Sequence, residues 1–114
     1  MTTLYHNPRC SKSRQALQLL EEKNEDLTII KYLDNPPTPA KLSELIALLG
    51  IAPIDLVRKN ESIWKERYKG KQLTDSELVN AMVAHPKLIE RPIAIKGFKA
   101  IIGRPPEKVL EILQ

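Results

Sequence analysis

The order in which short apolar segments alternate with helical periodicity constrains this chain more than any other feature. Thr3-Leu4-Tyr5 is a brief β-prone start, and His6-Asn7-Pro8-Arg9 breaks it with Asn-Pro turn chemistry. From Ser11 the apolar residues Ala16, Leu17, Leu19 and Leu20 keep helical spacing to about Lys23. Leu27-Thr28-Ile29-Ile30-Lys31-Tyr32-Leu33 then reads as a second strand, stopped by Asp34-Asn35-Pro36-Pro37. Near the other end, Pro92-Ile93-Ala94-Ile95 and Phe98-Lys99-Ala100-Ile101-Ile102 flank Lys96-Gly97, which reads as a hairpin turn. Gly103-Arg104-Pro105-Pro106 ends that strand. A helix with Val109, Leu110 and Leu113 inward is expected from Glu107 to Leu113.

Between these ends the pattern is helical. Thr38 suits an N-cap and Pro39 the first helical position; Leu42, Leu45, Ile46 and Leu49 form the apolar stripe, and Gly50 the stop. Pro53 to Val57 reads as a short helix ending near Arg58-Lys59-Asn60. Thr74-Asp75-Ser76-Glu77 is a capping-box pattern, followed by Leu78, Val79, Met82 and Val83 as a buried stripe up to Pro86. Glu61 to Gln72 is polar around Trp64 and Tyr68, and its pattern assigns no element. The order βαβ, helices, ββα is that of an α/β, thioredoxin-like (glutaredoxin-like) fold with a helical insertion at about residues 38–85, so residues 1–114 are expected to form a single domain.

Composition narrows the function classes. A chain of 114 residues buries roughly 60–70% of its unfolded surface, enough for one core. With 42% hydrophobic but only 4% aromatic residues, that core must rest on Leu, Ile and Val. Eighteen basic against fourteen acidic residues give a net charge of +4, without the aromatic-interleaved basic stripe of a nucleic-acid binder. The apolar run Leu45-Ile46-Ala47-Leu48-Leu49 falls far short of the ~20 residues a bilayer needs, and the first residues lack a secretory pattern. A cytoplasmic monomer with no membrane or nucleic-acid partner is therefore expected.

Cys10 is the only cysteine, so any disulfide it forms must be with another molecule. Isolated cysteines are most often buried small hydrophobes, but Cys10 follows a strand and turn and opens the helix Ser11-Lys12-Ser13-Arg14. Free helix N–H groups, the helix dipole and the nearby Arg9, Lys12 and Arg14 favour its thiolate. A thiolate among backbone donors is an anion-binding nucleophile, which makes Ser11, Lys12, Ser13 and Arg14 a candidate oxyanion loop. Cys10-Ser11-Lys12-Ser13 has no second thiol, and the arginine a phosphatase-like loop would place at position 16 is Ala16. One Cys and two distant His residues argue against a metal site. His6 is a candidate for tuning the thiolate, whereas His85, before Pro86, reads as structural.

The segment Tyr5-His6-Asn7-Pro8-Arg9-Cys10-Ser11-Lys12-Ser13-Arg14 resembles the active-site loop of the ArsC-type arsenate reductases, the glutaredoxin-coupled kind with a thioredoxin-like fold. The resemblance continues through Tyr32-Leu33-Asp34-Asn35-Pro36-Pro37, Leu56-Val57-Arg58-Lys59-Asn60, His85-Pro86-Lys87-Leu88-Ile89-Glu90-Arg91-Pro92-Ile93 and Gly103-Arg104-Pro105-Pro106-Glu107-Lys108-Val109-Leu110. It covers about Leu4 to Leu113. It implies an enzyme of arsenic detoxification in which Cys10 attacks arsenate while Arg58, Arg91 and Arg104 hold the oxyanion and the arsenylated cysteine. Guanidinium groups suit that task because they stay charged and offer paired donors. The resemblance also implies a cis bond before Pro92, glutathione as co-substrate with no bound cofactor, glutaredoxin as partner, and arsenite as product.

Three features point to a short, housekeeping-like subgroup. Ser11-Lys12 stands where members of this type commonly have Gly-Thr, residues 95–102 are shorter than their counterpart, and the sequence stops at Gln114. Two other readings share the fold: a glutathione-dependent thiol oxidoreductase acting on another substrate, and an Spx-like RNA polymerase-binding regulator. Many of the latter carry a C-x-x-C switch, which Ser13 removes here.

Overall fold

A computed structural model describes residues 1–113, which divide into two compact units. The first comprises Met1–Asn35 and the chain from Arg91 onward, and the second comprises Pro36–Glu90.

In the first unit, β1 (Thr2–Tyr5), α1 (Ser11–Glu22) and β2 (Leu27–Ile30) form a βαβ unit, completed by β3 (Ile93–Lys96), β4 (Lys99–Ile102) and a 3₁₀ helix over Pro106–Leu113. The sheet order is β2-β1-β3-β4, with β1 parallel to β2 and antiparallel to β3, and β3 antiparallel to β4. Parallel pairing of β1 and β2 needs a crossover, and α1 supplies it. The fold is α/β and thioredoxin-like. Leu4, Ala16, Leu20, Ala94, Val109 and Ile112 make the core, with Leu17, Leu27 and Ile101 packed against it.

Three expectations for this unit change. The second strand stops at Ile30 rather than running to Leu33. Its partner β1 ends at Tyr5↔Ile30, His6 N–H makes one last bond to Ile30 O (2.8 Å), and the chain then turns as Asp34 and Asn35 N–H donate to Lys31 O. The hairpin turn is Gly97-Phe98, not Lys96-Gly97, because Lys96 still pairs with Lys99. Gly97, with φ 62°, supplies the positive φ that a type II′ turn needs at its first central position. The last helix is 3₁₀, and it buries Pro106, Val109 and Ile112 while Leu110 and Leu113 are only half-buried. A spacing of three puts those residues on one face of a helix with three residues per turn.

The second unit holds α2 (Pro39–Leu49), a 3₁₀ turn at Pro53–Leu56, α3 (Ser62–Arg67), α4 (Asp75–Ala84) and a 3₁₀ turn at Pro86–Leu88. Its helix ends follow local chemistry. Thr38 Oγ1 accepts from Lys41 N–H (3.1 Å), Pro39 opens α2, and Gly50 closes it in the left-handed region (φ 68°). At α4, Thr74 Oγ1 accepts from Glu77 N–H (3.1 Å) and Glu77 Oε1 accepts from Thr74 N–H (2.9 Å), a complete capping box. That box holds the Glu77 carboxyl below the usual range, chiefly through the Thr74 amide. Ala81 joins Leu78, Val79 and Met82 in the buried stripe, and Val83 is only half-buried. The segment without a sequence assignment contains α3, anchored by buried Trp64, whose ring stacks on Tyr68 at 5.6 Å. His85 meets the edge of Tyr68. Among the described residues no helix is long and apolar enough to cross a membrane.

Candidate active site around Cys10

The loop between β1 and α1 is tied down by its own polar groups. Asn7 is the hub: its N–H donates to Ser13 Oγ (3.0 Å), its carbonyl accepts from Cys10 N–H (3.0 Å), and its Oδ1 accepts from Arg9 N–H (3.0 Å). Arg14 Nη1 donates to Pro8 O (2.9 Å), and Arg14 N–H closes the first helical bond onto Cys10 O. His6 Nδ1 lies 2.6 Å from Ser13 Oγ, and both residues are buried. Sequence reading took Asn7-Pro8 only as turn chemistry. Asn followed by Pro was the available signal, since an Asn side chain caps turns by bonding backbone two residues on.

Cys10 occupies the N-cap of α1 in extended conformation (φ −93°, ψ 122°) and is partly exposed. Its sulfur closes no side-chain cap bond with the amides of the first turn. They still decide its protonation. Burial pushes the thiol pKa up, but the Ser13 amide, the Arg91 guanidinium and the Lys12 amide outweigh burial and hold it below its ordinary value. His6 is pushed the other way for a cation: burial first, then the charges of Lys31 and Arg14, lower its pKa and keep the imidazole neutral. The ring therefore bonds Ser13 instead of contributing charge beside the sulfur.

Two of the three expected arginines are in this unit and are linked. The side chain of Arg91 acts on Cys10 both as hydrogen-bond donor and as charge. Arg104 Nε donates to the Arg91 carbonyl at 2.8 Å. The Arg91-Pro92 bond is cis, as the resemblance implied, and so is Arg104-Pro105. Gly103 N–H donates to Pro92 O at 2.8 Å, and a Cβ at Gly103 would stand 2.7 Å from Val109 Cγ1 and 2.8 Å from Pro92 Cγ. Only glycine lets the chain pass this close, so Gly103 fixes where Arg104 begins. Sequence reading gave it no role beyond ending a strand.

Arg58 lies in the helical unit. Its backbone N–H donates to Leu88 O (2.7 Å) and Glu90 N–H to Leu56 O (2.8 Å), on either side of the Val57↔Ile89 bridge. Across that bridge Arg58 Nη1 pairs with Glu90 Oε1 at 3.1 Å, while Arg58 Nε is buried with no hydrogen-bond partner among the described residues. Glu90, part of the Glu90-Arg91-Pro92 motif, was given no role by the sequence. Of the remaining loop residues, Ser11 and Lys12 are exposed, the Lys12 amide is among the donors acting on Cys10, and Arg14 donates to Pro8. Among the described residues no cluster of three or more His, Cys, Asp or Glu is arranged to hold a metal.

A thiolate-favouring cysteine, backbone amides and a guanidinium make a nucleophile able to receive a small oxyanion. The sequence profile of the ArsC family matches residues 5–112. YfgD of Escherichia coli (strain K12), an uncharacterized protein, is 46% identical over 112 residues, covering 96% of this chain and 94% of its own. A protein of the same strain named arsenate reductase is 42% identical over 112 residues, covering 97% of this chain and 79% of that protein. The solved structure named arsenate reductase from Vibrio cholerae is 46% identical, with a TM-score of 0.93 over 97% of this chain and 96% of that one.

Proposed function

This chain belongs to the ArsC family, and on that premise we propose that it is an arsenate reductase whose nucleophile is Cys10. The observation that carries the reading is the Arg91 guanidinium on a Cys10 thiol already biased to thiolate. Relatives named arsenate reductase at 40–42% identity support the choice of oxyanion.

The Cys10 thiolate attacks arsenic, an As–S bond forms, and one As–O bond breaks as that oxygen takes up protons and leaves as water. Arg91 neutralises charge on the remaining oxygens, and Arg104 holds the backbone from which Arg91 projects. Arg58 is assigned to the oxyanion by motif resemblance alone. Two electrons must then reach arsenic. The chain has no second thiol to close a disulfide with Cys10, so glutathione displaces a second oxygen from arsenic, which leaves as water, and a glutaredoxin thiol attacks the glutathione sulfur. Arsenic(V) becomes arsenic(III), a glutathione–glutaredoxin disulfide forms, and water releases arsenite from Cys10. Overall, arsenate and two thiols give arsenite, one disulfide and one water.

Arsenite formation from arsenate, measured in parallel with glutathione plus glutaredoxin and with thioredoxin plus its reductase, tests this scheme. Turnover is expected with the first donor system. Turnover with thioredoxin alone would overturn the donor assignment, and none with either would move the activity toward a thiol oxidoreductase of another substrate.

A further inference from the structure

Ser13 is the buried polar residue of α1, with no exposed surface. Its hydroxyl accepts from Asn7 N–H at 3.0 Å and lies 2.6 Å from His6 Nδ1. One oxygen thus joins the end of β1 to the first turn of α1, and the chain closed by that joint carries Cys10. Asn7 extends the joint by accepting Cys10 N–H. The Ser13 amide, on the same residue as this hydroxyl, is the foremost of the donors acting on the sulfur.

We propose that the Ser13 hydroxyl is a positioning group for Cys10: it donates to His6 Nδ1, accepts from Asn7 N–H, and so holds the Ser13 amide against the sulfur. A hydroxyl has one proton and two lone pairs, so both bonds form at once when the imidazole carries its proton on Nε2. Burial makes the joint stiff. Without the oxygen the Asn7 N–H and His6 Nδ1 would both lie buried and unmet, and the loop would shift to find them partners. The charged groups facing this cluster are Arg91 toward the sulfur and Lys31 and Arg14 toward His6. In this account His6 is an acceptor for Ser13, and its work on Cys10 passes through that bond.

The proposal deepens the site read above as the reductase nucleophile, but its test needs no arsenate, so the two can fail separately. The titration of Cys10 is followed by ultraviolet thiolate absorbance, and by iodoacetamide alkylation at neutral pH, in the full chain. Ser13→Ala should raise the Cys10 pKa and slow alkylation in proportion to the thiolate lost. Gln15→Ala, on the exposed side of the same helix, should change neither. An unchanged Cys10 pKa in folded Ser13→Ala would overturn the proposal. Should Ser13→Ala not fold, the pair His6→Asn and His6→Ala decides. An Asn oxygen takes the place of Nδ1 as acceptor, so His6→Asn should titrate like the parent and His6→Ala should shift upward. Equal shifts in both would assign the effect to the imidazole itself and overturn the role of Ser13.

Discussion

At Cys10 two opposed influences of similar kind meet: burial that favours the thiol, and donors that favour the thiolate. Because the donors prevail, the folded pKa lies below the unfolded one. The resulting stability is present above the ordinary thiol pKa and is lost as pH falls through the folded value. Arg91→Ala removes one donor and one charge. We expect the pH midpoint of Cys10 alkylation to rise in that variant, and an unchanged midpoint would contradict the contact. His6 behaves as a second, independent titration. Its pKa is lowered from 6.5, so the unfolded chain binds the proton first. Stability is complete above 6.5 and falls as pH drops through the lowered folded value; urea titrations of wild type against His6→Asn across that window should show the slope flatten in the variant.

At the scale of elements, caps and close approaches hold the scaffold. Thr74→Ala removes the Oγ1 acceptor of the α4 capping box and should cost about 1 kcal/mol in urea unfolding. Gly103→Ala should cost about 1–3 kcal/mol, since its new methyl must push Val109 or Pro92 aside. These two residues also mark what was legible in the sequence. Thr38, Pro39, Gly50 and Thr74 were readable because a cap is decided within four residues. Gly103 was not, because its reason lies in the side chains of Pro92 and Val109, which reach it only after folding. The over-long second strand has the same origin: β-branched residues set a propensity, but β1 leaves the sheet after Tyr5, and Lys31 onward has nothing to pair with. The 3₁₀ geometry of Pro106–Leu113 was missed because Val109, Leu110 and Leu113 also satisfy an α-helical spacing. Segment 61–72 offers one large apolar anchor, Trp64, too few for any period to declare itself.

For the whole molecule, the alternation of elements led to the right fold, and Cys10 at a helix start was sufficient to mark it as the candidate nucleophile. The link from Cys10 to Arg91, and from Arg91 to Arg104, joins distant parts of the chain, and only the resemblance to a family pointed there. Asn7 and Glu90 escaped a role, and Ser13 was read only as a member of the oxyanion loop, because each acts through a bond to another polar group. The single cysteine makes a prediction about the entire chain: reduced protein given stoichiometric arsenate and no other thiol should yield no arsenite, since the disulfide that accompanies reduction takes a second thiol and the sequence has one. Ion chromatography of the mixture reads this directly. The central claim is that Cys10 turns over arsenate, and the most direct measurement is arsenate-dependent NADPH oxidation coupled through glutathione and glutaredoxin, in wild type and Cys10→Ser. The account predicts turnover that requires arsenate and disappears in Cys10→Ser; equal turnover in folded Cys10→Ser, or none in the wild type, would contradict it.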